Sequence, residues 1–136
     1  MMISTKGRYA LRVMIDIAEN SAGEYVPLRD IAERQGISQK YLEQVIALLS
    51  RAELVSGLRG TGGGYRLTRD VGDYTAGEIL YAVEGSLAPI ACLKDKPNSC
   101  PRSESCETLP FWEGYYKVIT DYVDGVKLSE LVKNPR

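Results

Sequence analysis

The sequence predicts a mainly α-helical fold with one small β-hairpin: three short helices and the hairpin come first, and a long C-terminal helix comes late. Three observations carry this expectation. Apolar residues recur at helical spacing in three successive segments before residue 52. Five glycines between positions 57 and 64 separate two short β-prone runs, and the segment after Pro110 carries a wide aromatic stripe.

The first helix is expected from Ser4 to about Asn20, with Ala10, Leu11, Met14, Ile15, Ile17 and Ala18 on the buried side and Arg8, Arg12, Asp16 and Glu19 on the other. Ser21-Ala-Gly-Glu breaks it, Pro27 restarts the chain, and Leu28, Ile31 and Ala32 mark a second helix of two turns. Gly36 interrupts, and Ser38 stands at the N-cap of a third helix running to about Arg51. Its buried stripe is Tyr41, Leu42, Val45, Leu48, Leu49 and Ala52. Leu54 to Arg59 and Tyr65 to Thr68 then form a hairpin around the glycine-rich tip. Thr75 and Glu78 are spaced as a capping box ahead of a helix ending near Glu84, and Gly85 to Pro89 closes it. Residues 91–109, with Pro97 and Pro101, read as an irregular loop. Pro110 opens the last helix, about 110–124, and Asp124-Gly125 stops it. Its apolar residues Phe111, Trp112, Tyr115, Tyr116, Val118, Ile119, Tyr122 and Val123 cover more than one contact face. Burial in a larger domain would satisfy them, but a symmetric dimer seam built on Trp112, Tyr115, Ile119 and Tyr122 is favoured.

Composition narrows the function. The chain has 136 residues, 44% hydrophobic and 26% charged, enough for a core without metal or disulfide staples. It has no histidine, which excludes Ser-His-Asp and Cys-His nucleophiles, histidine-bearing zinc fingers and histidine pH switches. An enzyme is not expected. Lys and Arg number 17 against 18 Asp and Glu, but residues 1–70 carry ten basic and eight acidic side chains whereas 71–136 carry seven and ten. A polyanion would therefore dock on the front half. No stretch reaches a membrane span and no signal peptide is evident, so a cytoplasmic protein is expected.

Three helices followed by a glycine-tipped hairpin is the order of a winged helix-turn-helix, expected over 1–70, with 71–136 as a dimerisation and sensor region. The turn Gln35-Gly-Ile-Ser38 has the length and the glycine of a helix-turn-helix. Helix 3 offers Gln39, Lys40, Glu43, Gln44, Ser50 and Arg51, which suit base edges and phosphates but would equally serve as a solvated face. The hairpin favours double-stranded DNA, because glycines around Arg59 and before Arg66 let bare backbone approach phosphate. A nucleotide phosphate loop is excluded, since the Gly-Lys-Ser/Thr ending is absent. All three cysteines, Cys92, Cys100 and Cys106, lie in the 91–109 loop as Cys-x7-Cys-x5-Cys. Thiolates suit iron-sulfur clusters and zinc alike, and three unrelated thiols are the plain alternative.

Ile3-Ser-Thr-Lys-Gly-Arg-Tyr-Ala-Leu, Ile37-Ser-Gln-Lys-Tyr-Leu-Glu-Gln, Leu58-Arg-Gly-Thr-Gly-Gly-Gly-Tyr and Thr75-Ala-Gly-Glu-Ile occur in that order, with the cysteine loop and the aromatic helix behind them. Over nearly its whole length the chain resembles the IscR-type iron-sulfur cluster regulators of the bacterial Rrf winged-helix family. The resemblance implies a homodimer that reads an operator with helix 3 and the wing. It places Ser38, Lys40, Tyr41, Glu43 and Gln44 on the recognition helix and Arg59 with Gly60 on the wing, and it makes Glu43 a discriminator between operator sequences. It also implies a [2Fe-2S] cluster on Cys92, Cys100 and Cys106. The family's best-known members add a histidine three residues after the last cysteine, where this chain has Leu109. The fourth ligand is then open among Glu107, Glu104, Asp95, a residue of the partner subunit and an external thiol. A thiol switch through Cys100 and Cys106, and a cysteine-metabolism repressor controlled by a partner protein, are the alternatives within the family. A small metalloprotein or electron carrier is the alternative outside it.

Overall fold

The computed structural model describes residues 3–95 and 97–133, so the outermost residues of the two expected regions and Lys96 lie outside it. Six helices and one hairpin follow in the order α1 (Thr5–Asn20), α2 (Leu28–Gln35), α3 (Gln39–Arg51), β1 (Val55–Leu58), β2 (Gly64–Leu67), α4 (Ala76–Glu84), α5 (Leu109–Gly125) and α6 (Leu128–Leu131). Short 3-10 turns at Val71–Asp73 and Ala91–Leu93 lead into α4 and into the cysteine loop. The expected irregular loop thus begins with one ordered turn.

Local chemistry sets the helix ends. The Ser4 hydroxyl accepts from the Gly7 N–H, and that of Ser38 accepts from the Tyr41 N–H at 3.1 Å, each supplying a partner to an orphan donor of the first turn. Gly36 ends α2 at φ +64°, a left-handed conformation that glycine adopts without a Cβ penalty. Thr75 caps α4 through the Glu78 N–H at 3.1 Å, but only half of the expected capping box forms. The Glu78 carboxylate turns instead to Arg69, 2.7 Å away, because a cation offers it more than a neutral amide.

α1 is the spine of the molecule, packed against α2, α3, α4, the hairpin and α6. Ala10, Val13, Met14 and Ile17 of α1 are buried together with Ile31, Leu42, Val45, Ile46 and Leu49 of the next two helices. The same core takes in Tyr74, Ile79, Leu128 and Val132, so one apolar interior runs through both expected regions. α6, which the sequence reading leaves out, is what returns the chain to that core. The Leu128 N–H donates to the Tyr74 carbonyl at 3.0 Å, and Val126 accepts from the Ala76 N–H at 2.8 Å.

Two side chains differ from expectation. Asp16, expected on the solvated face of α1, is buried. Its carboxylate receives Arg34 Nη2 at 2.7 Å, Arg34 Nε at 3.0 Å and Gln35 Nε2 at 2.8 Å, so it clamps α2 onto α1. Ala52, expected in the buried stripe of α3, is exposed where it caps that helix.

β1 and β2 pair antiparallel, with Val55 opposite Leu67 and Leu58 opposite Gly64. Val26 adds a third short rung by exchanging two hydrogen bonds with Tyr65, at 2.8 and 2.9 Å. The base of the hairpin is fixed by Tyr74, whose buried hydroxyl donates to the Leu54 carbonyl at 2.8 Å and accepts from the Thr68 and Arg69 N–H groups at 2.9 and 3.1 Å.

Candidate nucleic-acid interface and cysteine loop

The turn from Gly36 to Ser38 aims α3 so that Leu42, Val45, Ile46 and Leu49 face the core and the opposite side faces water. Gln39, Lys40, Glu43 and Gln44 are exposed, and none makes a side-chain hydrogen bond or ion pair among the described residues. Ser38 is exposed but engaged as the cap. Tyr41 is half-buried and packs edge-on against Tyr9, with ring centroids 5.5 Å apart, so its ring braces α3 on α1. The six expected residues of this helix start therefore divide into four unbonded groups, one cap and one brace.

At the hairpin tip Arg59 and Gly60 are exposed, and Arg59 likewise has no partner among the described residues. Arg66 differs: its guanidinium lies over the Tyr25 ring at 4.5 Å. The glycines do two separate jobs. Gly60 and Gly62 have φ +93° and +77° with open space beside them, as a tip approaching phosphate needs. A Cβ at Gly63 would overlap the Leu58 carbonyl oxygen, and one at Gly64 the Val26 carbonyl oxygen. These two let strands pack, which corrects the reading of the whole run as phosphate-facing.

The cysteines lie between α4 and α5, each half-buried and free. Their loop is held by local bonds: Lys94 N–H to Ala91 O, Cys100 N–H to Asn98 Oδ1, Ser103 N–H to Cys100 O and Ser105 N–H to Arg102 O. Hydrogen bonding to the Thr108 hydroxyl, 3.5 Å away, is the first cause that lowers the Cys106 thiol from its ordinary range. The described residues contain no group of three His, Cys, Asp or Glu arranged to hold a metal. The three thiols therefore share a loop but not a coordination sphere. As a donor set they still fit a cluster, being soft, free and carried by a segment whose hydrogen bonds among the described residues are local.

α5 lies against α4, and its Val123 and Asp124 pass close over Gly77, where no Cβ intervenes. Phe111, Tyr115, Val118 and Tyr122 stand 64%, 47%, 70% and 71% exposed, while Trp112 and Ile119 are half-buried. Of the four residues expected at a dimer seam, Tyr115 and Tyr122 lie on this open stripe. Burial, then Asp124 and Tyr116, push the Tyr81 hydroxyl above its usual range. Sequence reading missed Asp16, Tyr74 and Gly77. Only Gly77 left a signal, a glycine inside a helix pattern.

A helix-turn-helix with an unbonded polar face, set beside a glycine-tipped antiparallel hairpin, defines a winged-helix DNA-binding regulator. The chain belongs to the Rrf2 family, described as iron-dependent transcriptional regulators, whose pattern matches residues 3–134. It is 41% identical over 134 residues to the HTH-type transcriptional regulator IscR of Klebsiella pneumoniae, spanning 98% of this chain and 81% of that protein. Among solved structures, T. potens IscR superposes with TM-score 0.74 at 37% identity, covering 96% of this chain and 85% of that one. CymR, the global cysteine regulator of B. subtilis, gives TM-score 0.77 at 33% identity over 96% and 95%. The protein is thus a transcription regulator and not an enzyme. No helix among the described residues is long and apolar enough to cross a membrane.

Proposed function

We propose that the protein is a homodimeric cytoplasmic regulator that reads an operator with α3 and the wing and responds to iron-sulfur or thiol status through its cysteine loop. The observation that carries this reading is the set of unbonded polar side chains on α3 beside the unpartnered Arg59 of the wing. Hydrated in the free chain, these groups are available to a ligand without breaking any internal bond. Here Gln39, Lys40, Glu43 and Gln44 share one exposed helix start, the part that enters a major groove, and Arg59 with Gly60 projects where phosphate or a minor groove would lie. Glu43 admits or repels base pairs by its charge, since a carboxylate accepts from cytosine and repels phosphate. Residues 1–70 act as the reading head, and 71–136 as the sensor and dimerisation region.

Cys92, Cys100 and Cys106 would hold a [2Fe-2S] cluster, which supplies a one-electron group whose ligation fixes the separation of three thiols. This chain's contribution is the loop. Because its hydrogen bonds are local, drawing the three sulfurs together reshapes the segment between α4 and α5 while leaving the core intact. α5 would set the spacing of the two reading heads, which must match half-sites about 34 Å apart. Any change in that loop is then felt as a change in operator affinity.

The test is anaerobic purification with iron and acid-labile sulfide counted per chain, followed by operator binding at several salt concentrations. About two irons and two sulfides per chain are expected, lost on replacing any one cysteine. Arg59→Ala should weaken binding, and Lys40→Ala should lower the salt slope by roughly one. Unchanged binding in both variants would remove the docking arrangement. A metal-free protein with intact operator binding would move sensing to thiol oxidation.

A further inference from the structure

The first turn of α1 is gripped from the second half of the chain. Glu84, the last residue of α4, is half-buried, and its Oε1 accepts from the Ser4 N–H at 3.2 Å and from the Ser4 hydroxyl. The same Ser4 oxygen accepts from the Gly7 N–H at 3.3 Å, so the N-cap of α1 is itself tied to α4. The unpaired N–H groups at that end of a helix favour a carboxylate there. Gly7 leaves the space for it, since a Cβ at this position would stand 2.6 Å from Glu84 Oε1.

Another side of the same helix start holds the helix-turn-helix. At about 100° per residue, Tyr9 and Arg12 lie roughly 200° and 140° around α1 from Gly7. Arg12 Nε donates to Gln35 Oε1 at 3.0 Å and its Nη2 donates to the Gln35 carbonyl, while its guanidinium lies 5.1 Å from the centre of the Tyr9 ring. Gln35 is the last residue of α2. Tyr9 in turn packs edge-on against Tyr41 of the first turn of α3, with ring centroids 5.5 Å apart. The start of α1 is therefore held by Glu84 on one side and holds both ends of the α2–α3 turn on the other.

We propose that Glu84 is a positioning residue for DNA reading. By fixing the first turn of α1 it fixes Tyr9 and Arg12, and through them the aim of Gln39, Lys40, Glu43 and Gln44. This rests on the reading of α3 as the recognition helix, and Glu84 itself touches neither base nor phosphate in the role. Hydrogen bonds to base edges need donor and acceptor within about 2.7–3.2 Å and well aligned, so a small tilt of α3 removes them. Charge contacts to phosphate carry no such sequence information and outlast the tilt.

The experiment compares Gly7→Ala, Glu84→Ala, their double variant and Glu84→Gln, all in the full chain, on two duplexes: one that the wild-type chain selects from a randomised library, and one of scrambled sequence. Gly7→Ala is the sharper probe. Alanine favours a helix over glycine, and its Cβ meets side-chain atoms of Glu84 and Ile3 that can turn aside, so the melting temperature should hold while the carboxylate is displaced. Affinity for the selected duplex should fall at least about fivefold in Gly7→Ala and in Glu84→Ala, with the scrambled duplex bound within about twofold of wild type. The double variant should lose no more than either single one, because both remove one contact. Glu84→Gln keeps an acceptor oxygen and should recover most of the affinity. If Glu84→Ala fails to fold, Gly7→Ala and Glu84→Gln carry the comparison. Unchanged affinity in Gly7→Ala, additive losses, equal weakening on both duplexes, or losses that only follow the melting temperature overturn the proposal. A wild-type chain that enriches no sequence overturns the reading of α3 itself, and this proposal with it.

Discussion

At the scale of single residues the most consequential group is Asp16, a carboxylate whose side chain is 1% exposed inside a helical interface. Burying an ion is unfavourable unless its partners are well placed, and here a bidentate guanidinium and an amide donor are. Arg34 itself stands 39% exposed, so water takes part of the cost of its charge while Asp16 has no such outlet. Arg34→Ala is therefore expected to destabilise the fold by about 3 kcal/mol in urea unfolding, far more than removing a surface pair. A change under about 0.5 kcal/mol would show that Gln35 alone suffices. The helical pattern could not announce this residue. Periodicity scores a charged side chain as outward, and only the arrival of α2 on α1 makes position 16 an inside position.

At the scale of elements the hairpin is the informative case, because its length, position and glycine content were all legible in the sequence while the division of labour among the glycines was not. Gly62→Ala places a side chain at φ +77° in open space, and a cost of about 1 kcal/mol is expected with the wing retained. Gly64→Ala drives a Cβ into the Val26 carbonyl and breaks the rung that ties the wing to the start of α2. A loss of roughly 3 kcal/mol is expected there, with faster amide exchange at Val26 and Tyr65. Equal costs at the two positions would mean that the Val26 rung is dispensable. The capping residues Ser38 and Thr75 were read for the opposite reason: a cap is a contact three residues long, complete within the local sequence.

At the scale of the whole molecule an apolar stripe on α5 remains uncovered although the core is complete without it. Four large side chains at such exposure form the kind of contiguous patch that soluble chains keep for association. Val118→Glu with Tyr122→Glu is expected to leave the monomer folded, since both side chains stand in solvent, and to halve the mass seen by sedimentation. Operator affinity should fall at least about 100-fold, because two linked heads become two independent ones. A variant that keeps its mass would place the dimer seam elsewhere.

The sequence by itself determined the order and type of the main elements, the caps and turns that bound them, the helix-turn-helix with its wing, and the confinement of all thiols to one loop. Each of these is written in residues near one another in the chain, where spacing, glycine and side-chain type act directly. Tertiary structure alone decided that Asp16 is an interior anion, that Tyr74 pins the base of the wing, that Leu128 and Val132 return to close the core, and that Glu84 of α4 holds the first turn of α1. Those are meetings of residues distant in sequence. Their chemistry depends on which surfaces pack, and packing belongs to the folded chain rather than to any one stretch of it.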